Sequence, residues 1–545
     1  LRSRSGRLAD SCLPVLLAFL PFEPRRPTLP IFGLELTPLE AIAGLALVAM
    51  AAAHGRELPA LLRSRPLPLL AASAYALVHL ASAALADDNR TLAFKFAARM
   101  CVMVAFAWLV AVTPETARRR GLVALVASGA LVACLAIVEG AGARGFDGFL
   151  ARFRETPFNV AGSRRATAGS EYPNQAAAFL MYALLAWACL AERARAAASA
   201  GLCALLGLGL LFTYSRGALV AAALALAAAA WAATGKPALS RGPWLALLVL
   251  ALTAGAFAAS REVFRLRLAS EGSATFYGAR YEPETTRLTL APRESRRLRV
   301  RVTNTGRKTW AREEAFHLSY HWYQPARPGL LDGGRTRLPA DLAPGASVWL
   351  EPEVVAPDVP GPYRLLWDMV HERTTWFSGQ GVRPAAVDVL VGPPGTPAPT
   401  ADPAAPPPPA PGWRPGRSEL WRIALAMWRD HPLLGVGPDN FRWLYGRYAG
   451  EAFWDNRVFA NNTLLEAAAT TGGLGAAALA ATLAGCLGAS YRRFRAEASS
   501  ARLALFGMSA AVLAHGLVDY LLAFTGHYLF LGFLIGAIAA PADRT

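Results

Sequence analysis

The residues best suited to chemistry in this 545-residue chain are cations set in or beside apolar runs. Arg216 sits in Thr213-Tyr214-Ser215-Arg216-Gly217-Ala218, a very short turn between two such runs, and Arg417 opens "GRSELWRIALAMWRDHPLLGVGPDNF" after a proline-rich stretch. Lys95 and Arg99 are one helical turn apart in the run 91–113, about 6–12 Å inside it at 1.5 Å per residue. Cations within hydrocarbon are expensive and generally face a polar cavity. A guanidinium keeps its charge there, and its planar fork binds two phosphate oxygens at once. Anion binding is therefore the chemistry these positions suggest. The structural alternatives are snorkelling for Lys95, interfacial anchoring for Arg216 and a plain surface charge for Arg417.

A second polar group stands at the mouth of a later run, in Phe459-Ala460-Asn461-Asn462-Thr463-Leu464-Leu465-Glu466. An amide takes up no proton at neutral pH, so Asn461 and Asn462 orient a hydroxyl or cap the entering helix rather than act as bases. His515 and Asp519, four apart on one predicted helical face, form an arrangement in which a carboxylate orients an imidazole. His527, Glu466 and His431 are further candidates for proton transfer. Asp87-Asp88 is the only outward carboxylate pair on a short loop and reads better as solvated loop than as a cation site. No metal site is expected.

The elements that must position these groups belong to a membrane protein. Hydrophobic residues make up 54% of the chain and charged residues 17%, against about 25% charged in soluble domains. The net charge of +17 lies largely in short basic clusters between apolar runs, a pattern of membrane topology rather than nucleic-acid binding. The six cysteines all lie inside apolar runs with no metal-knuckle or disulfide spacing. Crossing ~30 Å of hydrocarbon takes about 20 residues. Candidate runs fall near 9–22, 36–53, 67–86, 91–113, 120–142, 173–191, 198–213, 217–234, 243–259, 464–488, 502–523 and 526–541. The fold class is thus an all-α polytopic membrane protein of about twelve transmembrane helices, the first run being a membrane helix rather than a cleaved signal. Basic clusters in alternate loops put both termini in the cytoplasm and segments 143–172 and 260–463 outside.

The second outer segment holds a domain of its own. Residues 286–302 alternate with period two, and short strands follow at regular spacing with Gly/Pro turns. The N-T-G-x-x-x-W and P-G-x-Y-x-L-x-W-D strands resemble bacterial immunoglobulin-like modules, which implies an extracytoplasmic β-sandwich inserted over 263–392. Trp310, Trp322, Trp367 and Trp376 are either core residues or a platform for sugars. A Pro-rich tether, 393–415, returns the chain to the membrane. The expected organisation is therefore membrane helices over 1–262, the sandwich, the tether, an amphipathic outer segment over 416–463 and three last membrane helices over 464–545.

Four stretches in this order resemble the O-antigen ligase and O-antigen polymerase family of polytopic lipid-linked glycan transferases. They are "RATAG" with "YPNQA", which carry Arg165 and Asn174; Ser215-Arg216-Gly217; the segment from Arg417 through His431, Gly435 and Gly437; and "NNTLLEAAATTGGLG". A closing "HGLVDY" is also similar. The resemblance implies inverting, metal-independent transfer of glycan from an undecaprenyl-pyrophosphate donor to a glycan or lipid acceptor, at the outer face of a bacterial inner membrane, with no cofactor. A departing pyrophosphate gains negative charge that fixed cations must stabilise. On this reading Arg216, Arg417, Asn461, His515 and Asp519 are the catalytic candidates, and Lys95, Arg99, Arg165, Asn174, Asn462 and Glu466 bind substrate. Asn461 stands where ligases of the family carry the histidine proposed as base, which leaves the base open. A non-catalytic glycan-binding or assembly protein of polysaccharide export is the alternative.

Overall fold

The computed structural model describes the chain except for residues 1–3, 26–27, 32–33, 144, 156, 161–162, 193, 270–275, 325–326, 373, 394–414, 451–453 and 542–545. The tether expected at 393–415 thus lies almost wholly outside the described residues. The apolar runs fall on helices, the run 502–523 only in part. Among the described residues seven helices are long and apolar enough to cross a membrane: Pro38–Arg63, Leu67–Ala84, Arg90–Val112, Glu115–Gly140, Pro173–Leu190, Pro237–Ser260 and Thr463–Ala496. Asp10–Phe19, Ala196–Phe212, Arg216–Ala232 and Thr525–Ala539 are apolar but shorter. Proline in the first turn of several of these helices presets φ without sacrificing a backbone hydrogen bond, and Thr37 with Glu40 closes a capping box on the helix beginning at Pro38.

Two departures from regular helix shape the rest. The run 502–523 stays helical only over Ser500–Gly516, so Leu517–Phe524 form a non-helical connection. His515 and Asp519 therefore do not share a helical face, as the sequence suggested. The helix Thr463–Ala496 breaks at Gly472, whose φ of 65° and ψ of −168° are open to glycine but strained for other residues. The turn Pro432–Gly437 fills this break. Its backbone pairs with it through Val436 N to Ala469 O at 2.9 Å, Gly437 N to Thr470 O at 3.0 Å and Gly473 N to Pro432 O at 2.8 Å. Two glycine-rich stretches distant in sequence thus interlock through main chain, and the Ser82 hydroxyl reaches the Leu434 and Thr470 carbonyls of both.

The β-rich region lies between the helices Glu262–Ala269 and Arg417–Asp430. One sheet runs in the order Arg327–Asp332, Phe316–Gln324, Gly361–His371, Ala385–Val391, Arg287–Leu290, with the last pair parallel. A second sheet holds Ser347–Leu350, Val300–Asn304 and Ala279–Pro283. Both contribute to one apolar core. Trp310, Trp322 and Trp367 are buried in it, so they are core residues and not a sugar platform; Trp376 is half-buried beneath the Arg335 guanidinium at 4.6 Å. The expected boundary at 263 is corrected as well. Residues up to 269 continue the short helix Glu262–Ala269, whose Phe264 packs on Tyr214 and Phe257 of the helical core.

Candidate active site

Four arginines from four separate segments gather at one end of the helical bundle. Arg165 ends the short strand Ser163–Arg165, Arg216 and Arg417 are each the first residue of a helix, and Arg267 comes from the helix Glu262–Ala269. The Arg165 guanidinium donates from Nε to the Thr213 carbonyl at 3.0 Å and from Nη2 to Asn174 Oδ1 at 3.1 Å. The Asn174 amide passes the contact on, donating to Asp519 Oδ2 at 2.6 Å, while Asp519 Oδ1 accepts from the Tyr520 amide at 2.8 Å. Arg216 Nη1 donates to the Arg267 carbonyl at 2.8 Å, and Arg267 Nε donates to the Tyr214 carbonyl at 3.1 Å. Two arginines thereby brace each other through main chain.

The electrostatics point to an anion. Burial pushes the Arg165 guanidinium down to about 10, with the charges of Arg417 and Arg216 adding to the effect and Asp519 opposing it. Burial, then Arg165, Arg216 and Arg417, hold Arg267 well below its ordinary value. Like charges brought together out of water favour whatever anion neutralises them.

The sequence folds to this geometry for local reasons. A Cβ on Gly217 would meet Val518 at 2.8 Å and lie 3.5 Å from the His515 ring, so the turn carrying Arg216 lies flat against the connection carrying Asp519 only with glycine there. Tyr214 takes a φ of 52°, a conformation costing a non-glycine residue about 1–2 kcal/mol. Its ring is held by Phe257 and Phe264. The loop after Arg165 is fixed from below by a buried carboxylate: Glu139 pairs with Arg154 and accepts from the Thr167 and Ala168 amides at 2.8 and 2.9 Å. Neither Glu139 nor Arg154 nor Arg267 stood out in the sequence.

The other predicted residues are placed differently. Asn462 is the helix N-cap, its Oδ1 accepting from Leu464 and Leu465 and its Nδ2 donating to the Leu517 carbonyl at 2.8 Å, so its hydrogen bonds are structural. Asn461 is half-buried beside it with a φ of 51°, a region asparagine tolerates better than most residues. Glu466 is buried and accepts from the Ala460 amide at 2.7 Å. His515 is buried with Nε2 3.7 Å from Asp519 Oδ2, beyond hydrogen-bond reach, so the carboxylate does not orient the imidazole. His527 is buried against Phe179, and His431 is exposed at the far end of the Arg417 helix, about 20 Å from its start. Asp88 pairs with Arg447 at 3.1 Å.

Arg99 is bound to Glu40 at 3.0 Å, and Lys95 is half-buried one turn away. Rather than joining the four arginines, Arg99 lines a neighbouring cavity of about 310 Å³ with Glu23, Glu171, Tyr172, Arg442 and Phe524. Burial pushes the Glu23 and Glu171 carboxyls up, Thr525 opposing it at Glu23 and Arg25 at Glu171. Tyr172 and Phe524, their rings tilted against each other with centroids 5.6 Å apart, lie on the segments that carry Asn174 and Asp519, so the cavity adjoins the arginine site.

Residues 409–480 match the family model described as Wzy_C, O-antigen ligase. Over this segment the chain is similar to the O-antigen ligase family. The match takes in the helix that begins with Arg417, the turn Pro432–Gly437 and the part of the broken helix that this turn plugs. Around this O-antigen ligase segment the fold assembles Arg165, Arg216, Arg267 and Asp519 from outside the matched residues. No curated protein matches the chain.

Proposed function

We propose that the chain transfers glycan from an undecaprenyl-pyrophosphate donor to a glycan or lipid acceptor at the outer face of the inner membrane, with inversion and without a metal ion. The observation that carries this reading is the convergence of Arg165, Arg216, Arg267 and Arg417 on the Asn174–Asp519 pair, beside the O-antigen ligase segment. The four guanidiniums hold the pyrophosphate and stabilise the charge it gains as the glycosidic bond breaks. The adjoining cavity, with aromatic rings and acidic and basic groups on its walls, suits the hydroxyl-rich faces of a sugar. Leaving-group stabilisation drives the reaction. Base assistance is secondary, because Asn461 is an amide and His515 is buried without an orienting hydrogen bond.

The experiment is the lipid-linked glycan profile of a deletion strain. Single repeats on the lipid acceptor identify a polymerase, and long chains left on the polyprenyl carrier identify a ligase. An unchanged profile would favour the assembly-protein alternative.

A further inference from the structure

The walls of the cavity that adjoins the arginine site combine aromatic rings with ionisable groups. Phe524 packs on two other lining rings, with centroids 5.6 Å from Tyr172 and 6.2 Å from Phe459. Each cation of the lining is matched by an acid: Arg25 by Glu155 at 2.7 Å, Arg99 by Glu40 at 3.0 Å, Arg442 by Asp439 at 2.6 Å and Arg457 by Asp455 at 2.8 Å. An anionic ligand would have to compete with these carboxylates. The cavity therefore does not repeat the chemistry of the four arginines.

Two lining acids stand outside those four pairs. Thr37 donates to Glu23 Oε1 at 3.4 Å, and Glu171 is bonded to the neighbouring Tyr172 side chain. Burial pushes both carboxyls up and outweighs the pull of Arg99 on Glu23 and of Arg25 on Glu171. Glu171 adds to the rise at Glu23, so the two carboxyls act on one space. A carboxylate placed there gains from hydroxyl donors and repels a second carboxylate. Aromatic faces suit the apolar face of a sugar ring, and about 310 Å³ lies at the small end of ligand sites. We propose, resting on the reading of the chain as a glycan transferase, that this cavity holds an uncharged sugar ring, its hydroxyls on Glu23 and Glu171 and one face on the aromatic rings, and excludes a sugar that carries a carboxylate. The cavity thus sets which glycans are accepted, while the arginines serve the pyrophosphate whatever the sugar.

The test reads binding by saturation-transfer NMR on the purified full-length protein, with methyl glucoside and methyl glucuronide as a matched pair, at about pH 8 to keep both carboxyls charged. Wild type should bind the glucoside at least about tenfold more tightly, because like charges brought together in a partly dry site are costly. Glu23→Gln with Glu171→Gln removes the repulsion and should bring the two probes to within about threefold of each other. Glu171→Gln alone, at a half-buried position, should narrow the gap and serves if the pair disturbs folding. Undecaprenyl-pyrophosphate-linked N-acetylglucosamine displaces the glucoside if the donor's sugar occupies the cavity and leaves it bound if the acceptor's sugar does. Equal binding of the two probes by wild type, tighter binding of the glucuronide, no binding of either, or undiminished selectivity in both variants would overturn the proposal. Binding is read without turnover, so these outcomes count against the sugar site alone, whereas selective binding by a protein that transfers nothing counts against glycan transfer alone.

Discussion

Substitution of Arg267 separates charge from scaffold at the proposed pyrophosphate site. Its side-chain Nε donates to the Tyr214 carbonyl at 3.1 Å, while its own carbonyl accepts from Arg216. The Arg216 contact therefore survives any side-chain change. Arg267→Lys keeps a cation and loses the Nε bond, a net cost of about 1 kcal/mol or about fivefold in rate. Arg267→Gln removes the charge as well. Loss of one preorganised donor to a developing anion costs about 10²–10³-fold in turnover. Single-turnover transfer from a lipid-linked donor, with purified protein, should rank wild type above lysine and lysine well above glutamine. Thermal unfolding without donor supplies the control. Because burial and three neighbouring cations push the Arg267 guanidinium down, removing its charge relieves repulsion, and the glutamine variant should melt no lower than wild type. A glutamine variant that turns over at the wild-type rate would refute the reasoning and reduce the helix Glu262–Ala269 to a connector.

Glu139→Gln breaks a buried ion pair and weakens the clamp on the loop after Arg165, so unfolding should reveal a loss of about 3–5 kcal/mol; an unchanged melting point would mean the pair contributes nothing. His515→Gln should fall less than tenfold in transfer rate, whereas a loss in the general-base range of about 10²–10⁴-fold would restore the imidazole as base. Deleting 276–392 leaves Arg267 and the tether in place, so the shortened protein should insert and retain transfer, with altered chain length or acceptor choice; correct insertion without turnover would place essential groups among the strands.

The helices were legible because the apolar runs are bounded by proline, glycine or charge. The strands were legible from period-two alternation around N-T-G and P-G-x-Y. Three of the four arginines were legible from motifs. Arg267 was not: "EVFRLRLA" reads as a basic lead into a β-domain, and only the fold turns that helix back onto Tyr214. Arg99 was misplaced for the opposite reason. Its partner Glu40 is distant in sequence, so a paired cation looked like one awaiting a phosphate. The His515–Asp519 spacing promised a helical pair, but spacing does not mark where a helix ends, and this one ends at Gly516. Asn462 allowed both cap and ligand, and its amide bonds to Leu464, Leu465 and Leu517 account for it as a cap.

The central claim is that the arginine cluster drives departure of a lipid pyrophosphate. Its most direct test is release of undecaprenyl pyrophosphate from a lipid-linked glycan donor in the presence of acceptor, comparing wild type with the Arg165→Gln/Arg216→Gln variant at matched folding and membrane insertion. The account predicts release by wild type and a loss of at least about 10³-fold in the double variant, two preorganised cations having been removed. Release by the variant within tenfold of wild type would contradict it.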